Sequence, residues 1–192
     1  SLSGAMERGH DMVYVCYDNG AYMNTGIQRS SATPQFADTT TTPVGKCSDG
    51  KVQTRKDLSA IIAEHHVPYV AQTTFTKDFR DIHIKSEKAI YTEGAAFLNV
   101  LAPCPRGWRY ETSEVMKICQ LAIDTCYWPL FEVDHGNWRL SYEPKKKLPI
   151  EDFLREQGRF KHLFKPGNED LIAAFQEEVD RRWEDLLYRC NR

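Results

Sequence analysis

The sequence predicts an α/β fold: a parallel sheet flanked by helices, followed by a C-terminal hairpin and a helical extension. Three observations predict it. Short apolar runs at 12–17, 67–72 and 95–101 alternate with segments of helical periodicity at 56–65, 75–91 and 113–127. The runs are apolar at nearly every position, as in parallel strands covered on both faces. Beyond Trp128 the alternation gives way to a hairpin pattern and two further helices. With 192 residues, 41% hydrophobic and 11% aromatic, the chain can build one sizeable core and is too apolar to be disordered.

Each element has a local reason. Residues 1–9 read as the end of a helix stopped at Gly9, so more of the domain is expected upstream. Residues 12–17 are an expected strand buried on both faces. Residues 18–55 are rich in Asn, Gly, Ser and Thr, and a loop of that length points to function or disorder. Leu58, Ile61 and Ile62 share one face of the helix at 56–65, and Phe79, Ile82, Ala89 and Ile90 form the stripe of the helix at 75–91. Thr112 or Ser113 is the expected N-cap of the helix at 113–127. Right-handed crossovers are expected to join the strands. Residues 130–134 and 138–142 alternate around His135-Gly136-Asn137, a hairpin signal. Helices are expected at 150–157 and 168–188, the second carrying Leu171, Phe175, Val179, Trp183 and Leu186 on one face. The expected division is residues 1–128 as part of an α/β domain and 129–192 as an extension, packed on that domain or on another subunit.

Composition excludes some partners. The 25 Lys and Arg balance 27 Asp and Glu, leaving a net charge of −2 and no footprint for nucleic acid or an anionic membrane. No apolar run approaches the roughly 20 residues of a membrane span, and no signal-peptide pattern is present, so a soluble chain is expected. The six cysteines show no paired spacing. They read as reduced thiols, which implies a cytoplasmic location.

Ligands of open parallel sheets bind at the carboxyl ends of strands, and two segments are expected there. The first, residues 17–28, gathers Asp18, Asn19, Gly20, Ala21, Tyr22, Asn24, Thr25 and Gly26 behind the opening strand. Carboxamide and backbone carbonyl oxygens suit Mg²⁺, but an Asn- and Gly-rich segment also serves as a plain connecting turn. The second is Pro103-Cys104-Pro105-Arg106-Gly107-Trp108, which holds one cysteine between two prolines. Cys104 fits a nucleophile, a metal ligand or a small apolar filler. Cys119 and Cys126 read as core, His65-His66 as a favourable charge at a helix end, and residues 145–147 as a solvated lysine edge.

The stretches CYDNGAYMNTGIQRSSATP and TTTTPVGK, then VPYVAQTTF, AFLNVLAPCPRGWR, CYWPLFEV and FLREQGRFKHLF, strongly resemble in order the β subunit of the pyruvate:ferredoxin oxidoreductase family over about residues 1–165. The resemblance implies a parallel-sheet thiamine-diphosphate-binding fold and one subunit of a complex. Such a complex oxidatively decarboxylates a small 2-oxoacid, with or without coenzyme A, and passes electrons through 4Fe-4S clusters to ferredoxin. It implies Mg²⁺ ligation by the Asn19 side chain and the Ala21 carbonyl. Asp18 and Tyr22 would join them in cofactor binding, and Asn24 would be the catalytic residue beside thiazolium and substrate. Cys104 matches the last of four thiolates on the cluster nearest the cofactor. The family's other three thiolates and its Gly-Asp-Gly motif have no counterpart in this sequence, and the resemblance puts them upstream. Gly20 departs from the Glu common in the family's pyruvate enzymes, which leaves oxalate oxidoreductase as a related assignment. A non-catalytic assembly domain of the same complex is the alternative function.

Overall fold

The structure is a computed structural model that describes residues 2–76 and 78–191. Ser1 and Lys77, which fall in or before expected helices, lie outside the described residues, as does Arg192. Along the chain run α1 (Leu2–Glu7), β1 (Met12–Asp18), β2 (Val44–Gly45), β3 (Ser48–Asp49), α2 (Leu58–Ala63), β4 (Tyr69–Thr74), α3 (Arg80–Tyr91), β5 (Ala95–Leu101), α4 (Pro105–Trp108), α5 (Val115–Asp124), β6 (Phe131–Asp134), β7 (Asn137–Leu140), α6 (Ile150–Arg155) and α7 (Glu169–Cys190).

The main sheet has the order β1-β5-β4-β6-β7. β1, β5 and β4 run parallel, and the β6–β7 hairpin joins β4 antiparallel. The expected α/β class therefore holds, with a mixed sheet. Asp18 and Thr74 both stand opposite Leu101, so the carboxyl ends of the three parallel strands are level. Val70 and Phe97 pack with Ile62 of α2 and Leu186 of α7 on one face of the sheet. Ala71 and Leu98 pack with Ala89 of α3 on the other. A third cluster, around Trp108, Trp128, Phe153, Phe160 and Phe175, fills the end of the molecule beneath α5, α6 and α7.

Several expectations need correction. β4 and β5 are buried at every position, as parallel strands should be. β1 is instead an edge strand, with Val13, Tyr14, Val15 and Tyr17 exposed. Its apolar run does form a strand, but a run cannot say how many neighbours the strand has. α3 begins at Arg80, and Phe79 and Ile90 of the expected stripe are exposed. Lys85 takes the buried place because its Nζ donates to Gln72 O at 2.8 Å, Asp81 Oδ2 at 2.9 Å and Ser141 Oγ at 2.8 Å. Neither Thr112 nor Ser113 caps a helix with its side chain; both lie in a 3₁₀ turn, Thr112–Glu114, that leads into α5. α2 is capped by Asp57, whose Oδ1 accepts the Ala60 N–H at 3.0 Å. His135 and Gly136 have φ of 48° and 82°, the paired left-handed residues of a type I′ hairpin turn. α7 packs Phe175, Val179 and Leu186 on the core.

The long segment at 18–55 is ordered. Its two short strands, β2 and β3, pair with each other, and Thr hydroxyls stitch the rest: Thr40 Oγ1 donates to Gly26 O at 2.8 Å, and Thr39 and Thr42 hydroxyls meet at 2.7 Å. Lys51 is buried and donates its Nζ to the carbonyls of Ser31, Thr33 and Thr54. A buried ammonium with three acceptors serves here as the crosslink of a loop that has no core of its own.

Candidate functional site

The site lies where β1 and β5 end side by side. The Ala102 N–H donates to Asp18 O at 2.9 Å, which extends the ladder one step and splays the two following loops over the sheet edge. Asp18 is buried, and both its carboxylate oxygens are engaged within the chain. Oδ1 accepts the Gly20 N–H at 3.0 Å, and Oδ2 pairs with Arg55 Nη2 at 3.0 Å. This forces a tight turn, and Gly20 takes it with φ of 73°, a left-handed backbone that favours glycine. The Asn19 Oδ1 accepts the Ala21 N–H at 3.3 Å. Tyr22 and Gln28 then exchange backbone hydrogen bonds at 2.9 and 3.0 Å, closing the loop on itself.

The second loop braces the first. Trp108, fully buried, donates its indole N–H to Asn19 O at 2.7 Å. Gly107 lies so close to Met23 that a Cβ there would fall 2.2 Å from the Met23 Sδ. Cys104, half-buried, caps α4, and its Sγ accepts the Gly107 N–H at 3.4 Å. The sulfur is thereby fixed in one orientation at the start of this short helix. Among the described residues no three His, Cys, Asp or Glu side chains gather as a metal set, so Cys104 stands without companion ligands there.

The sequence-predicted residues separate into two groups. Asp18, Asn19, Gly20, Ala21 and Tyr22 line one cleft of about 220 Å³, together with Ser30, Ser31 and Lys56. Asn24 is exposed and outside that lining, one residue beyond the Met23 anchor. Cys104 stands on the adjoining loop. The oxygens of Asn19 and Ala21 fit a hard cation such as Mg²⁺, which accepts carboxamide and carbonyl ligands and keeps further positions for phosphate and water. Cys119 and Cys126 are buried core residues, and burial pushes both thiols up, that of Cys126 to about 11.

Sequence reasoning missed two arginines, Arg159 buried and Arg55 with its side chain 10% exposed. The Arg55 guanidinium lies 4.4 Å from the Trp128 ring centroid, and that of Arg159 lies 3.8 Å from the Trp108 centroid. Arg159 lies within the stretch FLREQGRFKHLF and Arg55 outside every quoted stretch, and a lone Arg in a polar loop or a helical turn carries no periodic signal of burial.

A mainly parallel sheet with an Asn/Gly loop at its carboxyl edge defines an α/β ligand-binding domain. Residues 1–100 match the family described as thiamine pyrophosphate enzyme, C-terminal TPP binding domain, and the chain belongs to that family. It is 47% identical over 188 residues to pyruvate synthase subunit PorB of Thermotoga maritima, covering 97% of this chain and 58% of that one. It is 48% identical over 181 residues to the PorB of Methanosarcina barkeri, covering 94% and 61%. Ketoisovalerate oxidoreductase subunit VorB of Pyrococcus horikoshii is 45% identical over 188 residues, covering 97% and 59%. The chain thus spans about three fifths of the length of these curated relatives. A solved 2-oxoglutarate:ferredoxin oxidoreductase from Magnetococcus marinus superposes with a TM-score of 0.49 at 21% identity, covering 85% of this chain and 62% of that one.

Proposed function

We propose that the chain is the Mg²⁺- and thiamine-diphosphate-binding part of the β subunit of a 2-oxoacid:ferredoxin oxidoreductase. The substrate is a small 2-oxoacid, pyruvate in the first place, as the names of the relatives suggest. One observation carries the reading: the Asn19–Gly20–Ala21 turn and the Cys104 loop are locked together by the Trp108–Asn19 bond and the Met23–Gly107 contact. A cofactor loop and an electron-collecting thiolate need that adjacency.

The residues then take defined roles. Asn19 Oδ1 and the Ala21 carbonyl hold Mg²⁺, and Asp18, fixed by Arg55, sets the turn that presents them. Tyr22 lines the cofactor cleft. Asn24, exposed on the loop, faces the substrate and offers an amide N–H to charge developing on its oxygen. When bound, thiamine diphosphate supplies the electron sink for decarboxylation. Cys104 contributes one thiolate of a 4Fe-4S cluster, and the Gly107 N–H on its sulfur tunes the potential. The other thiolates come from elsewhere in the complex. Ferredoxin takes the electrons and coenzyme A the acyl group, in the cytoplasm. Residues 1–128 belong to the cofactor domain, and 129–192 form its extension.

The test uses the complete protein in its complex. Asn19→Ala is expected to weaken Mg²⁺–thiamine diphosphate binding by at least about tenfold, a loss of about 1.4 kcal/mol, without changing the fold. Cys104→Ser is expected to lower iron content and abolish dye reduction while sparing cofactor affinity. Unchanged affinity in the first variant, or unchanged iron in the second, sinks the corresponding assignment.

A further inference from the structure

The cleft lined by Asn19 and Ala21 carries one uncompensated charge. Asp18 and Lys56 are the charged side chains of its lining. Asp18 is already neutralised, with Arg55 Nη2 on Oδ2 at 3.0 Å and the Gly20 N–H on Oδ1 at 3.0 Å. The Lys56 ammonium, among the described residues, has neither an ion pair nor a hydrogen bond. The neighbouring Asp57 gives its Oδ1 to the Ala60 N–H instead. A second donor stands in the same lining. The Ser31 hydroxyl likewise has no hydrogen-bond partner among the described residues.

Backbone bonds hold these two residues side by side. The Lys56 N–H donates to Ser31 O at 2.9 Å, and the buried Lys51 Nζ donates to the same carbonyl at 3.3 Å. Lys51 also ties Thr33 to Thr54 through their carbonyls. Segment 31–33 is thereby fixed against 54–56, while the side chains of Ser31 and Lys56 stay uncommitted. A lysine stem of four carbons on a fixed backbone lets the ammonium follow a ligand. Both residues are exposed, so neither is needed for the core.

The chemistry of the donors selects the ligand. Mg²⁺ at Asn19 and Ala21 is shared with phosphate oxygens. A diphosphate ester carries about three negative charges, one more than the ion neutralises. The Asn19–Gly20–Ala21 turn cannot meet the remainder: it holds no cation, and the N–H groups of Gly20 and Ala21 are taken by Asp18 and Asn19. An ammonium and a hydroxyl are the donors that such oxygens lack. We propose that Lys56 and Ser31 bind the diphosphate of thiamine diphosphate, forming a phosphate grip on a segment separate from the Mg²⁺ turn. This inference rests on the proposed function and deepens it by assigning the residues that meet the cofactor's charge.

The experiment uses the complete protein in its complex, depleted of cofactor. Equilibrium dialysis at fixed Mg²⁺ measures thiamine diphosphate binding, and magnesium pyrophosphate is titrated as a competitor that has the phosphates without the rings. Lys56→Met is expected to weaken both ligands by the same factor, about tenfold, and to flatten the fall of affinity with added salt. Lys56→Arg is expected to recover most of that loss, and Ser31→Ala to weaken both ligands about threefold. Unchanged affinity in Lys56→Met overturns the inference. So does a loss for thiamine diphosphate with none for pyrophosphate, which would put Lys56 against the rings. A raised KM for the 2-oxoacid at unchanged cofactor affinity overturns it too, since the anion at Lys56 would then be the substrate carboxylate. Asn19→Ala separates this inference from the reading beneath it. Where Asn19→Ala loses affinity and Lys56→Met does not, the proposed function stands and the grip falls; where neither loses it, both fall.

Discussion

Lys85 shows how one buried charge writes itself into the pH dependence of stability. Burial lowers its pKa from 10.5 to about 8, against the opposing pull of Asp81. In the unfolded chain the amine keeps its proton up to its ordinary value, whereas in the folded chain it releases it at about 8. Between those limits the unfolded state binds more protons, so stability rises with pH across the window and the cost of the buried charge is fully present below it. Lys85→Met removes this contribution. The stability of the wild-type protein relative to the variant is expected to climb from about pH 8 to 10.5, by at most about 1.4 kcal/mol per pH unit. Urea unfolding of the pair at several pH values checks it, and parallel profiles would show that Lys85 is not desolvated. Lys51, lowered to about 8 by its own burial, titrates in the same window, which is why the difference between the two proteins is the quantity to measure. At this scale the sequence is uneven. Asn19, Gly20 and Cys104 stand out only through the resemblance of their stretches, since by residue type alone a plain turn and a buried thiol serve as well. Lys85 and Arg159 look like ordinary surface charges until the acceptors around them are known.

Elements were legible where a pattern is local and lost where a neighbour decides. The β6–β7 hairpin follows from alternation around His135-Gly136, and the two-residue turn needs nothing beyond it. β1 carries the same apolar signature as β4 and β5 but is an edge, because strand order is a property of the sheet and not of the strand. The stripe of α3 held at Ile82 and Ala89 but not at Phe79 and Ile90, and Lys85, with its three acceptors, shares the buried face. α7 is the element on which the most distant parts converge. Its Phe175 meets Phe160 edge-on at 5.8 Å and Tyr127 at 6.2 Å, while its Arg182 donates to the Arg55 carbonyl. Phe175→Ala is expected to cost about 3–5 kcal/mol, since a wholly buried ring between two fixed aromatics leaves a cavity that cannot collapse. Chemical denaturation should show a lower midpoint at unchanged slope. A loss below about 1 kcal/mol would mean that α7 repacks freely and is not anchored at this ring.

For the molecule as a whole, the exposed edge sets the behaviour of this 192-residue chain when it is expressed alone. β1 is seven residues long and apolar, and Val13, Val15 and Tyr17 on one face are 37%, 43% and 69% exposed, with Tyr14 on the other. An apolar strand of that length with one open edge is a template for pairing with another chain. Lysine on such an edge opposes pairing through charge and through the cost of desolvating it. The curated relatives extend well beyond the matched region, and among the described residues Cys104 has no companion metal ligands. The isolated chain is therefore expected to associate through β1 and to show no 2-oxoacid-dependent dye reduction. Val13→Lys with Val15→Lys is expected to shift it toward monomer without restoring activity, because the variant changes the edge and leaves Asn19, Ala21 and Cys104 as they were. Light scattering and sedimentation of the two proteins at matched concentration read the first outcome, and a viologen assay with added Mg²⁺ and thiamine diphosphate reads the second. A wild-type chain that stays monomeric removes the edge from the account. Dye reduction by that chain alone would mean that its own loop and single thiolate suffice, against the partner-dependent site proposed above.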